Sequence, residues 1–231
     1  MTSQDLTAQI NTLGFKAVVV FIITAVVSLF LPLEAFAPTQ EDAAYWLMNT
    51  MSGYVFGWVN QIVAMLACAV IFACAAWQFF ATSPIRAVII WMLTSLSIMT
   101  FLIVKFFNVW AVPMMAKALA SGSAESDSAE TFLSALAPSF AFGLGPSLDY
   151  LGFGLYAAIS IMLFRPLYRL STSAKISAIA FLLFGVSFFL LLVAPSISLL
   201  GQADIEAALY ISSLPLVFAF IAIMVHFKAN I

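Results

Sequence analysis

The sequence predicts an all-α fold: a polytopic membrane protein made of a bundle of six transmembrane helices, N-in/C-in, with short helices along the outer interface. Three observations predict it. Apolar residues make up 65% of the chain and charged residues 8%, where a soluble domain carries about 25% charged residues. So few polar groups cannot cover a soluble core, and lipid must be the solvent. The apolar residues are gathered into six runs, each reaching the about 20 residues that cross about 30 Å of hydrocarbon. Runs of that length are helical, because every backbone amide must find its partner inside the segment. The alternating segments of about ten residues that mark a membrane β-barrel are absent. Finally, charge alternates in sign from one connector to the next. Lys16, Arg86, Arg165, Arg169, Lys175 and Lys228 fall on one side, and Glu41, Asp42, Glu125, Asp127, Glu130, Asp204 and Glu206 on the other. Basic connectors stay cytoplasmic, which sets the orientation.

The first span is expected over residues 15–37. Ala35-Phe36-Ala37 has the form of a signal-peptidase site, but Pro38 would follow the cut and the apolar run exceeds a signal core, so the segment is read as a retained helix. Thr39 and Asp42 form a capping pair ahead of a short interfacial helix over 43–51. The remaining spans are expected at 54–80, 87–112, 147–168, 176–198 and 206–227, all in one transmembrane domain covering 1–231. Trp46, Tyr54, Trp58, Trp110, Tyr150 and Tyr210 mark the outer interface, and Trp77, Trp91 and Tyr168 the inner one. The longest connector is outer, 113–146. It has a small, acidic middle at 121–128, a second surface helix at 131–136 and a chain-breaking Gly143-Leu144-Gly145-Pro146. Pro32, Pro113 and Pro195 recur near the outer ends of the odd-numbered spans, a regularity that fits three related helical hairpins or, the favoured reading, ordinary membrane punctuation.

Several function classes are excluded. Six basic residues spread over several helix ends form no nucleic-acid patch. Cys68 and Cys74 lie six residues apart on one helix, facing different ways, and read as packing residues rather than a disulfide. A single histidine, His226, gives neither a zinc pattern nor bis-histidine haem ligation, and it sits favourably at a helix C-terminus. No metalloprotease, hydrolase or phosphate-loop motif occurs. No cofactor is expected, and the chain is not expected to be an enzyme.

The candidate site starts from Lys105. It lies 19 residues beyond Arg86, or about 28 Å along a helix at about 1.5 Å per residue. That depth is the outer edge of the hydrocarbon, where a lysine can snorkel to water. Thr94, Ser97, Lys105 and Asn108 share an arc of the third span, interrupted by Phe101. On the fourth span Asp149, Tyr156 and Ser160 share a face, and Asp149, 16 residues before Arg165, reaches the depth of Lys105. Asn60 and Gln78 share a face of the second span with small residues. Polar stripes in lipid face other helices or a wet cavity. The expected ligand-binding residues of an outward-facing polar pocket are therefore Lys105, Asp149, Asn108, Asn60, Gln61, Glu34 and Tyr156, with no metal site.

The stretch Pro146–Leu192 carries an acid at the outer start of a helix, an aliphatic run, an Arg/Tyr/Arg turn and a second aliphatic span. Through Asp149, Gly152, Arg165, Tyr168 and Arg169 it resembles a bacterial family of six-span membrane proteins with no assigned function. The resemblance implies a six-helix fold and no activity. Two functions are expected from different classes. One is binding or transport of a small or lipid-like molecule through the outward pocket. The other is a non-catalytic membrane subunit that scaffolds or assembles a larger complex around a membrane-protein partner. The expected location is the bacterial inner membrane, with the lipid bilayer itself as a partner and no nucleic acid.

Overall fold

A computed structural model describes residues 3–136, 143–194 and 205–231. Among these residues the chain is helical and contains no strand. The helices are α1 (Ser3–Ser28), α2 (Gln40–Asn49), α3 (Met51–Trp77), α4 (Pro84–Ser121), α5 (Ser126–Leu136), α6 (Leu144–Leu167), α7 (Thr172–Val193) and α8 (Ile205–Ala229). Six of them, α1, α3, α4, α6, α7 and α8, are long and apolar enough to cross a membrane. Pro195 and Asp204 lie outside the described residues, as do the last positions of the expected fifth span.

Four spans fall within a few residues of expectation. The first does not. α1 runs from Ser3 to Ser28 rather than from 15 to 37. Its N-terminal extension, with Gln4, Leu6, Ala8 and Gln9, is polar but rich in good helix formers. At the other end Leu31 precedes Pro32, and a residue before proline is pushed out of the α region. The apolar residues that follow run without helix to Ala37. They find a groove on α3 instead. A Cβ added to Gly57 would lie 2.9 Å from the Pro32 carbonyl oxygen, and one on Gly53 would lie 3.2 Å from the Pro32 ring. The two glycines let backbone lie directly on helix.

α4 also departs from expectation, in length. It passes through Pro113 and ends at Ser121, where the expected span stops at 112. Proline costs the helix one hydrogen bond. Packing offsets this: Val112, Met115, Ala116 and Leu119 are buried in a cluster with Phe36, Ala43, Trp46, Tyr54, Trp58, Ala129 and Leu133. That cluster joins the outer part of α4 to α2 and α5. Gly122, at φ 60°, ends α4 in the left-handed conformation that glycine adopts without strain. α2 begins as the capping pair implies: Thr39 Oγ1 accepts from the Asp42 amide at 3.2 Å.

The described chain divides into two compact units. The first comprises Met1–Val20, Ala67–Ser97 and Phe153–Ile231; the second comprises Phe21–Leu66 and Ile98–Gly152. In the first, α7 and α8 pack along each other, and the Ser177 hydroxyl donates to the Ala219 carbonyl at 2.8 Å. Its core is aromatic: Phe72 meets Tyr156, Phe181 and Phe220 at ring separations of 4.8, 5.7 and 5.6 Å.

Candidate functional site

The candidate site lies in the second unit, where α3, α4 and α6 contribute one helical face each. Lys105 on α4 donates to both carboxylate oxygens of Asp149 on α6, at 2.6 and 2.7 Å. The side chain of Lys105 is 6% exposed and that of Asp149 24%. Gly152 explains how two helices come this close. A Cβ there would lie 2.7 Å from the Phe101 ring and 2.8 Å from Thr100 Oγ1. Phe101 is one turn before Lys105 and Gly152 about one turn after Asp149, so the antiparallel crossing at the glycine sets the ion pair one turn away.

Aromatic faces complete the enclosure of the ammonium. Lys105 Nζ lies 5.1 Å from the Trp58 ring centroid and 5.6 Å from that of Phe101. Each such contact contributes roughly 0.5–2 kcal/mol, the larger value where water is excluded. A ladder of rings continues outward: Trp58 to Tyr54 at 6.0 Å, Tyr54 to Trp46 at 5.0 Å and Trp46 to Phe36 at 5.1 Å. The indole nitrogen of Trp46 is buried and has no acceptor among the described residues. A buried donor without a partner costs about 1–3 kcal/mol. The second unit therefore holds a fixed charge pair, a partly open carboxylate and one unspent donor.

The other expected residues are placed as follows. Asn108, one turn beyond Lys105, accepts from the Tyr54 hydroxyl at 2.6 Å and donates to the Val104 carbonyl at 2.9 Å. Asn60 donates to the Thr24 carbonyl and to Ser28 Oγ, both at 2.9 Å, and Gln61 donates to Ser28 Oγ at 3.0 Å. These two amides thus tie α3 to the last turn of α1, through the Thr24 carbonyl and the Ser28 hydroxyl. Glu34 is exposed on the extended segment after α1. Tyr156 belongs to the first unit, fully buried against Phe72. Sequence reasoning treated Tyr54 and Trp58 as interface markers and Phe101 as an interruption. Their spacing held the missed signal: Tyr54/Trp58 and Phe101/Lys105 are both i,i+4 pairs, which share a helix face.

Compared with known protein families, curated proteins and solved structures, the chain matches none. The geometry above is the basis for any functional reading.

Proposed function

We propose that this chain is an integral membrane protein that binds or transports a small or lipid-like molecule through a site built on Lys105 and Asp149. The observation that carries the reading is the ion pair itself, formed inside two membrane-spanning helices. At the outer edge of the hydrocarbon a lysine could reach water, yet Lys105 is buried against a carboxylate, and an ionisable residue within a membrane span marks a functional site by default. Packed apolar residues of similar volume would stabilise a bundle as well or better. The open edge of Asp149 and the unspent indole donor of Trp46 give a polar ligand something to meet.

One observation favours the second reading, a non-catalytic subunit of a larger membrane complex. Asn108, Asn60 and Gln61 are all engaged within the chain, as a protein without a ligand would need. Kinship with the six-span family resembled at Asp149, Gly152, Arg165, Tyr168 and Arg169 suits either reading.

Purification in native lipid, followed by mass spectrometry of what travels with the protein, separates the two. The binding reading expects a small molecule or a specific lipid that is retained by the wild type and lost in Asp149→Asn. A stoichiometric protein partner, unaffected by Asp149→Asn and with no small molecule present, would overturn it in favour of the subunit.

A further inference from the structure

The turn between α6 and α7 carries a concentration of positive charge that the site above does not use. Arg165, Arg169 and Lys175 fall within eleven positions, and no acid occurs in the sequence between Asp149 and Asp204. All three are exposed, and none is held in an ion pair among the described residues. The two flanking spans end at Leu167 and begin at Thr172, so the turn is at the membrane surface and not on a projecting domain.

Its geometry is defined. α6 ends through hydrogen bonds from the Arg169 amide to the Pro166 carbonyl at 3.3 Å and from the Leu170 amide to the Leu167 carbonyl at 3.1 Å. Ser171 caps α7 by accepting from the Ala174 amide at 3.2 Å. The same hydroxyl lies 2.8 Å from Nδ1 of His226, which ties the turn to the end of α8. Lys175 Nζ folds back over the Tyr168 ring at 4.5 Å, and the Tyr168 ring lies tilted beside Phe164 at 5.5 Å. Tyr168 thus sits at headgroup depth, as interfacial tyrosines do, with a cation on its face and arginines on either side in sequence. Lys228, two residues beyond His226, adds a further exposed cation at this end. The acid at the same end of the unit is Asp5, in a cavity of about 510 Å³ with Asn11, Gln78 and Asn230.

We propose that the α6–α7 turn is a binding site for the phosphate of an anionic phospholipid, contacted by Arg165, Arg169 and Lys175 with Tyr168 against the glycerol region. Arginine offers a planar fork that matches phosphate oxygens, and lysine offers a point charge. Two chemistries meet at one depth here: guanidinium and ammonium for the phosphate, and an aromatic ring for the acyl–headgroup boundary. Soluble phosphate would satisfy the first and leave the second without a role, which is why a lipid is favoured. The site is independent of Lys105 and Asp149 and stands or falls separately from the transport reading.

The test uses the full-length protein, delipidated and exchanged into equimolar phosphatidylglycerol and phosphatidylcholine, with bound lipid counted by native mass spectrometry. Wild type is expected to retain phosphatidylglycerol selectively. Each glutamine substitution at Arg165, Arg169 or Lys175 lowers that preference roughly fivefold, the worth of one basic residue at an anionic surface. The pair R165K/R169K keeps most of it, which separates lost charge from a lost fold, and melting in phosphatidylcholine alone confirms that the variants are folded. An equal loss from Arg86→Gln on the α3–α4 turn would overturn the site in favour of diffuse attraction. Displacement of the lipid by millimolar inorganic phosphate would overturn the lipid as its ligand.

Discussion

At the scale of single residues, Lys105 and Asp149 act as a pair, so the losses from removing each alone do not add. Replacing either alone leaves a buried charge without its partner, which costs about 3–5 kcal/mol. Replacing both with apolar residues removes the liability along with the attraction. The expected result of a double-mutant cycle on Lys105→Met and Asp149→Leu is therefore a double variant less destabilised than the sum of the two singles, with a coupling of about 1–3 kcal/mol. Unfolding in mixed micelles measures it, and additive losses would show that the pair does not act as one. The pair was legible in the sequence because depth can be counted from a fixed cytoplasmic arginine on each helix. Asn60 and Gln61 were legible as polar residues facing other helices, but their partners were not. Those partners are the carbonyl and hydroxyl of a helix end, and the position of that end depends on where α1 stops.

Among the elements, α1 and α4 are where hydrophobic run length misleads. An apolar run of sufficient length is a sound guide to a span, but it does not say which of its residues are helical. After Ser28 the chain stays apolar and leaves the helix because Pro32 and a glycine groove on α3 give it another way to bury itself. Gly57 tests this directly. A methyl group there meets the Pro32 carbonyl oxygen at 2.9 Å, and backbone cannot rotate aside as a side chain can. Gly57→Ala is expected to destabilise by about 1–3 kcal/mol, the usual cost of overpacking. Gly154→Ala is the matched control, since its nearest neighbours, at 3.8 and 3.9 Å, leave room for a methyl; helix propensity makes that change neutral or stabilising by up to about 1 kcal/mol. Equal losses at both glycines would mean that the close approach of Pro32 to α3 is not what Gly57 provides. In α4 the helical continuation was written in Val112, Met115, Ala116 and Leu119, at the i, i+3, i+4 and i+7 positions of one helix face. Reading it required knowing that α2 and α5 supply a surface for that face.

For the molecule as a whole, charge sidedness ties orientation to the placement of both candidate sites. Six spans among the described residues would return α8 to the side on which α1 begins, and the excess of lysine and arginine in the connectors predicts that this side is the cytoplasm. On that expectation the α6–α7 turn, with Arg165, Arg169 and Lys175, is cytoplasmic, and the acidic α4–α5 connector is external. Lys105 and Lys117 are the cations that break the pattern. The first is neutralised by Asp149, and the second lies near the end of α4, ahead of the acidic Glu125, Asp127 and Glu130. Cysteine labelling decides the orientation with little background, because Cys68 and Cys74 are 1% and 4% exposed. Ser123→Cys in the acidic connector and Thr172→Cys at the start of α7 are both at exposed positions. In intact cells or spheroplasts a membrane-impermeant maleimide is expected to modify Ser123→Cys alone. Thr172→Cys should react only once the membrane is opened. The reverse pattern would invert the protein, placing the basic turn outside and the Lys105–Asp149 pair near the cytoplasmic surface. A carrier reading would then need its entrance redrawn, and the anionic lipid would have to come from the outer leaflet.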